Sequence, residues 1–586
     1  MNRTLAVFIA LLMTTVSLAG CIGGNGDDDG DEVMNDVDLC PLTPTGEAVD
    51  TDGCSQSQLD DDGDLVMNNL DLCPLTPTGE TVDADGCSQS QLDDDGDLVM
   101  NNLDLCPLTP TGETVDIDGC SWTQLDDDGD GVANGVDICS LTPTGETADA
   151  DGCHGGSVVA WGEYAWNYGN DTSTASSDLS SRVIEIFSTN TAFAALKSDG
   201  SVAVWGYSPG AGDCNPAWND TSWTSVCSDL SSEVIKIFST YYSFAALKSD
   251  GSVVTWGHHG GNSSSVSSDL SSGVIDISST YSAFAALKSD GSVVTWGASN
   301  YGGDSSSVSS DLSSGVIEIF SAHQAFAALK SDGSVVTWGT QGAGGDSSSV
   351  SSDLSSGIVE IFSGKVAFAA LKSDGSVVTW GSQYAGGDSS SVSSALSSSV
   401  IDIVHTGAAF AALKSDGSVV TWGDEVYGGD SSSVSSELSS GVIEIFSTGD
   451  DHTSKAFAAL KSDGSVVTWG YQYSGGDSSS VSSDLSSGVT QIFSCFGGFA
   501  ALKSDGSVVT WGGPVVDSSS VSAELSSGVV DIISTDYAFA ALKSDGSVVT
   551  WGEAIYGSDS SSVSSALSSG VIQIFSNKYS FAAIIE

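Results

Sequence analysis

Residues 326–339 read FAALKSDGSVVTWG, and this stretch decides the fold. Two β-prone runs, 326–330 and 334–338, flank Asp332-Gly333. That pair signals a tight hairpin, because a two-residue turn of this kind needs positive φ. The run VIEIF at 316–320 supplies a third strand. Working outward, the unit returns along the chain from Ser157 onward. Trp161, Trp205, Trp256, Trp296, Trp338, Trp380, Trp422, Trp469, Trp511 and Trp551 mark ten copies, 40–44 residues apart in seven of nine intervals. Sheets too small to fold alone, repeated at this period, imply a propeller or a solenoid.

The first copy opens at SVVAWG with no FAALK run before it, and the last stops at FAAIIE with no SVVTWG after it. Pairing residues 157–161 with 581–585 would close a ring and remove both open edges. A solenoid would need distinct polar caps. The expectation is an all-β fold, a closed β-propeller of about ten short blades over residues 157–586, preceded by an irregular repeat segment. The motif ALKSDGSVVTWG…YGGD resembles repeats of the regulator of chromosome condensation family. The short unit is more similar to the secreted β-lactamase-inhibitor proteins of that superfamily than to the longer nuclear repeats. Gly-Gly-Asp replaces the Gly-Gln-Leu-Gly signature, and there are more copies than in those relatives. The resemblance implies a propeller; guanine-nucleotide exchange is not carried over to this chain.

The copies differ in two places, the stretch after Trp-Gly and the short link between IFS and FAA, whereas the SDGS turn is constant. With strand directions alternating, both variable sets emerge on one face. All fourteen tyrosines lie in these loops. Tyrosine offers large amphipathic contact area at low entropic cost. The candidate partner-binding residues are therefore Tyr164, Tyr207, Tyr241, Tyr242, Tyr281, Tyr471, Tyr473, Tyr537 and Tyr579. Tyr301, Tyr427 and Tyr556 share one repeat position and read equally as staples of their own loops. The periodic tryptophans read as blade core, and the Asp of Gly-Gly-Asp as a turn cap. Cys214 and Cys227 are expected to pair, leaving Cys495 a buried free thiol.

Upstream a different repeat holds. Cys40, Cys73, Cys106 and Cys139 recur every 33 residues, as do Cys54, Cys87, Cys120 and Cys153. Oxygen-bearing side chains keep the same register. The candidate metal ligands are Asp27, Asp29, Asp31, Asn35 and Asp38; then Asp60, Asp62, Asp64, Asn68 and Asp71; then Asp93, Asp95, Asp97, Asn101 and Asp104; then Asp126, Asp128, Asp130, Asn134 and Asp137. Calcium takes about 6–8 oxygens, and alternate residues of a tight loop can converge on one ion. Gly30, Gly63, Gly96 and Gly129 permit the bend. These are not EF-hands: position six, glycine in an EF-hand, is Glu32, Leu65, Leu98 and once Gly131. The pattern DxDGDxVxNxxDxC(P) resembles thrombospondin type 3 repeats over about residues 27–153, which implies a core-poor segment wrapped around calcium ions. Eight cysteines suggest four disulfides and leave about 105 connectivities open.

The chain begins with Arg3, an apolar run over residues 5–16, and Leu18-Ala19-Gly20-Cys21. Small residues before a cysteine resemble the lipobox of prokaryotic lipoproteins, which makes Cys21 the candidate lipidation site. The domain reading is a signal peptide 1–20, a lipid-anchored linker 21–26, calcium repeats 27–156 and a propeller 157–586. Net charge is −62, and residues 4–181 hold no Lys or Arg, which excludes nucleic acid as a partner. No GxSxG, HExxH, CxxC or phosphate loop is present, and no singular residues stand against the repeat background as an active site would require. The expectation is no enzyme but an exported, lipid-anchored protein of the cell surface or outer membrane, with Ca2+ as cofactor and an unknown extracellular protein or glycan as partner. A secreted-type enzyme inhibitor and a structural cell-envelope component are the alternatives.

Overall fold

The computed structural model describes residues 32–33, 38–40, 42–106, 108–110, 113–121, 123–126, 132–133, 148, 153–162, 172, 175–206, 226–448 and 455–585. The chain divides into two compact units, Met1–Ser140 and Leu141–Glu586.

The second unit contains ten three-stranded antiparallel sheets among the described residues. In one, Val316–Ser321, Ala325–Lys330 and Val335–Gly339 lie side by side, with Phe326 opposite Trp338 and Leu329 opposite Val335. β-Branched and aromatic residues suit such pleated, half-buried strands. The middle strand is buried on both faces, and its period of two sorts side chains by size. Phe326 and Ala328 join Trp338 against Ala283, Ala285 and Leu287 of the preceding sheet. Ala325, Ala327 and Leu329 on the opposite face receive Phe368 and Trp380 of the following sheet. Bulky residues thus meet small ones at every junction, and the core runs between sheets. The tryptophans are core, as expected: Trp338 stacks on Phe326 at 5.1 Å between centroids, and its indole N–H donates to the Gly302 carbonyl at 3.0 Å.

That glycine bond explains a constant element of the variable loops. Gly344 has φ +97°, and a Cβ there would lie 2.5 Å from Phe368 Cδ2, whereas nothing lies within 4 Å of a Cβ at Gly342. Left-handed backbone and overpacking together predict a cost of about 2–4 kcal/mol for Gly344→Ala. Gly342→Ala should stay within about 0.5 kcal/mol. Guanidinium unfolding of the two variants separates these outcomes. After Trp511 the loop runs from the turn Pro514–Val516 directly to Asp517, without the paired glycines. Trp551 Nε1 is consequently buried without a hydrogen-bond partner.

The hairpin differs from the two-residue turn read in the sequence. The Gly333 N–H donates to the Lys330 carbonyl, and the Lys330 N–H to that of Ser334. Three residues therefore form the loop, a type I turn followed by a left-handed glycine. Gly333 has φ +75° and Asp332 does not share it; instead Asp332 Oδ1 accepts from the Ser334 N–H and Oγ. The aspartate caps while the glycine bends.

The strand Ser157–Trp161 pairs with Phe581–Ile585, Val159 opposite Ala583. It occupies the position that SVVTW holds elsewhere. Trp161 Nε1 donates to the Gly557 carbonyl at 3.0 Å, and Trp161 packs with Ala538 and Ala540. On the other side Ala582 and Ile584 of this sheet pack with Phe193 and Trp205, and the Ser188 hydroxyl donates to the Ser576 carbonyl.

In the first unit no helix and no strand occurs among the described residues, only the isolated bridges Val49↔Ser55, Val82↔Ser88 and Val115↔Ser121. Disulfides join Cys40–Cys54, Cys73–Cys87 and Cys106–Cys120, each 14 residues apart within one repeat. Cys153 and Cys227 are also disulfide-bonded, whereas Cys495 is a buried free thiol; burial pushes it up to about 12. Cys214 lies outside the described residues. The buried Thr76 hydroxyl sits 2.8 Å from both the Gly86 carbonyl and Gln91 Oε1, a polar centre in place of an apolar one. Leu65 and Leu98 are 87% and 88% exposed. A module this poor in core depends on cross-links and ions.

Candidate functional site

The acidic loops are shaped by their own amides. Asp60 accepts from the N–H groups of Gly63 and Leu65, Asp62 from those of Asp64 and Thr76, and Asp64 Oδ1 from Val66 at 2.7 Å. Asn68 Oδ1 accepts from the Asp61 N–H. The result brings Asp60, Asp62 and Asp64 within 4.8 Å of one another, and Asp93, Asp95 and Asp97 likewise. Asp71 is outside that cluster: its Oδ1 accepts from the Cys73 N–H, and its side chain fills the space a Cβ at Gly86 would need. Asp38 and Asp104 make the same bond to Cys40 and Cys106. Asp27, Asp29, Asp31, Asn35, Asp128, Asp130, Asn134 and Asp137 lie outside the described residues, as does Cys21.

Two features fit these loops to a cation. Asp64 Oδ2 and Asp97 Oδ2 are buried with no hydrogen-bond partner, and such an oxygen is costly unless an ion meets it. Three carboxylates this close repel one another, and residues 4–181 offer no Lys or Arg to offset them. Within this segment no side-chain cation is available to balance them. Oxygen-only donors on a flexible loop suit calcium. The backbone carries a further sign that the sequence hid. Glu32, Leu65 and Leu98 have φ of 75°, 79° and 78°. Position six adopts the left-handed bend of a calcium loop without glycine, at about 1–2 kcal/mol each.

In the second unit the links after the first strands are joined by backbone bonds. The Tyr241 N–H donates to the Tyr281 carbonyl, Tyr281 to His323 and His323 to Lys365; elsewhere Phe496 donates to Asp536 and Asp536 to Lys578. The tyrosines follow this scaffold. Tyr241 stacks on Tyr281 at 4.3 Å and meets Tyr242 edge-on at 4.6 Å. Tyr281 contacts Tyr301 and His323, so the two variable loop sets are neighbours. Tyr556 bridges Tyr537 and Tyr579, and Tyr471 lies between Tyr473 and Tyr427. Tyr301 and Tyr556 each also pack on a core cluster, as a staple of the loop would. Burial, ahead of the neighbouring tyrosines, raises the Tyr241 and Tyr281 phenols, which keeps them neutral. Among the described tyrosines Tyr384 and Tyr473 are the most open, 78% and 64% exposed. Tyr164 and Tyr207 lie outside the described residues.

The sequence reading missed the basic members of this assembly. Lys578 pairs with Asp536 at 3.2 Å and lies 5.7 and 5.9 Å from the Phe496 and Tyr241 ring centroids, within cation–π range. Together with His323, Lys365 and His405 it borders a cavity of 720 Å3. Lower on the first strands the side chains turn acidic. Burial raises Glu360 and Glu444, and Asp402 raises both further.

Residues 20–47, 50–80, 83–113 and 118–146 match the model of the thrombospondin type 3 repeat. No curated protein matches the chain. Among solved structures it is similar to yeast RCC1 (Prp20) bound to Kap60, at 15% identity over 46% of this chain and 79% of that one, TM-score 0.28. It is also similar to human WBSCR16, at 14% identity over 54% and 90%, TM-score 0.28, and to the CRINKLY WD40 ectodomain of the Arabidopsis thaliana receptor kinase ACR4, at 15% over 48% and 93%, TM-score 0.24.

Proposed function

We propose that this is an exported, lipid-anchored surface protein whose acidic loops bind calcium and whose sheets form a closed ten-bladed propeller that recognises an extracellular protein or glycan. The observation that carries the recognition reading is the convergence of both variable loop sets, with their tyrosines, beside one another while the SDGS turns stay constant. A surface built on an invariant scaffold with variable, aromatic loops is the usual arrangement of a binding module. Ring closure draws support from the shared sheet of the first and last strands and from the Ser188 to Ser576 bond. Export draws support from the disulfides, which persist in oxidising compartments. The lipid anchor rests on the residues around Cys21. The aromatic side chains that gather in these loops favour binding as the reading.

Saturable binding of residues 22–586 to isolated envelope and extracellular fractions, with calcium present, tests this. Replacing Tyr384, Tyr471 and Tyr473 by Ser should lower the bound fraction at least tenfold, since Tyr384 and Tyr473 are exposed, Tyr471 lies half-buried against Tyr473, and none of the three belongs to a core cluster. Undiminished binding by that variant would return the protein to a structural role in the envelope.

A further inference from the structure

In the acidic repeats the usual sorting of side chains is inverted. Thr76, Cys87 and Ser88 are buried, while Leu65, Leu70, Leu72 and Leu75 are between 63% and 87% exposed. Their equivalents 33 residues on, from Leu98 to Leu108, repeat these exposures within 1%. Single exposed leucines need no explanation. Four within eleven residues of chain, in two successive repeats, mark a surface that something covers. The backbone holds them in place. The Leu70 N–H donates to the Met67 carbonyl at 2.8 Å and the Leu72 N–H to that of Asp85 at 2.7 Å, and the Cys73–Cys87 disulfide follows directly. Leu65 is held against strain, at φ 79°. Glycine would relieve it, and the fourth repeat has Gly131 at this position. A leucine that is both strained and exposed contributes nothing to its own loop, which points to a role outside it.

The surrounding charge limits what can cover these side chains. Calcium in the loop would answer Asp60, Asp62 and Asp64, but Glu80, Asp83 and Asp85 of the same repeat are exposed and outside that cluster. Residues 4–181 hold no Lys or Arg. A second copy of this chain, or a bilayer of anionic lipid, would set like charge against like. An apolar stripe flanked by Lys and Arg meets both the leucines and the carboxylates. We propose that the leucine faces of the acidic repeats dock a cationic amphipathic segment of a partner protein. Its aliphatic side chains lie on the leucines and its cations on the carboxylates between them. Residues 65–75 and 98–108 are two equivalent seats, so a partner with two such segments gains avidity. Calcium orders the loop that carries Leu65, and in that respect the docking rests on the calcium reading above. The face lies in the first unit and the tyrosine loops in the second.

Calorimetry on residues 22–586 in calcium tests this with two acetylated peptides of equal charge. One carries Lys and Leu at amphipathic helical spacing, the other Ser in place of Leu. The Lys/Leu peptide should bind about tenfold tighter, the gain expected from partly burying a leucine. Most of that margin should disappear in Leu65→Gly/Leu98→Gly and in Leu72→Ser/Leu105→Ser. Glycine relieves the strain, so the first variant should bind calcium at least as tightly as the parent, which separates lost docking from a lost fold. Tyr384→Ser/Tyr473→Ser should leave the margin unchanged, so that this face and the loop recognition are judged separately. Equal binding of the two peptides, or a margin retained in both leucine variants, overturns the proposal. Leucine-dependent self-association in sedimentation, without peptide preference, also overturns it and assigns the face to a second copy. Leucine-dependent pelleting with phosphatidylglycerol vesicles, again without peptide preference, overturns it in favour of a bilayer.

Discussion

Trp161→Ala is expected to destabilise the sheets by about 3–5 kcal/mol, the cost of emptying a fully buried aromatic site, and to match Trp380→Ala within about 1 kcal/mol. The two tryptophans are equivalent locally. Each is no more than 2% exposed, stacks on a phenylalanine at 5.4 or 5.1 Å and donates to a glycine carbonyl at 3.0 Å. They differ in sequence distance. The partner of Trp380 is 36 residues away and that of Trp161 is 396. If the sheets close into a ring, the distant bond is worth as much as the near one, because both are present in the native state. If the first strand were a loosely attached tail, Trp161→Ala would change the denaturant midpoint by less than about 0.5 kcal/mol. Parallel guanidinium unfolding of both variants in the full chain decides between them. Closure also predicts a shared transition: both variants should unfold in one step with equal slopes, since an opened ring exposes two edges at once.

How far the sequence could be read depends on the distance over which its signals act. Strand runs such as Val316–Ser321 and Val335–Gly339 are visible because alternation and β-branching operate within a few residues. The tryptophan core and the pairing of the terminal strands were legible because a repeat reports each copy's missing neighbour. The hairpin was misread by one residue: Asp-Gly suggests two left-handed residues, and only Gly333 is one. The strained Leu65 and Leu98 were invisible, since nothing in a leucine announces φ near 79°; closure of the acidic loop by its neighbours imposes it. The cavity was hidden for the opposite reason. Tyr241, His323, Lys365, Phe496 and Lys578 share one repeat position, three residues before the Phe of the middle strand, but each copy fills it with a different residue, so no recurring type marks it and the side chains come together only when distant links are gathered. Their one local signature was a lysine where the repeat has none. The intra-repeat disulfides lay among many connectivities, and selecting them required the backbone to place Cys73 beside Cys87.

Calcium withdrawal should produce the other large change, confined to the acidic repeats. At a free ion concentration a thousand times Kd, a site bound only in the ordered state contributes about 4 kcal/mol, and each disulfide across its short loop about 3 kcal/mol. Neither leucine burial nor secondary structure is there to replace them, as Leu65 and Leu98 lie in solvent. Chelation is therefore expected to open residues 60–71 and 93–104 to proteolysis, and chelation with reduction to unfold the segment. General acidity would give some calcium dependence on its own, so the decisive comparison is between Asp64→Asn and Asp61→Asn. Both remove one negative charge from the same loop. Asp64 belongs to the three-carboxylate cluster and carries the buried Oδ2 without a partner, whereas Asp61 is outside the cluster and exposed. A coordinated ion loses at least tenfold in affinity for Asp64→Asn and no more than about threefold for Asp61→Asn. A diffuse counterion atmosphere loses the same from either, because at that range it responds to charge and not to geometry. Equal losses in a calcium titration would reduce the acidic repeats to a solvated spacer, and leave the left-handed Leu65 as strain that no ion offsets.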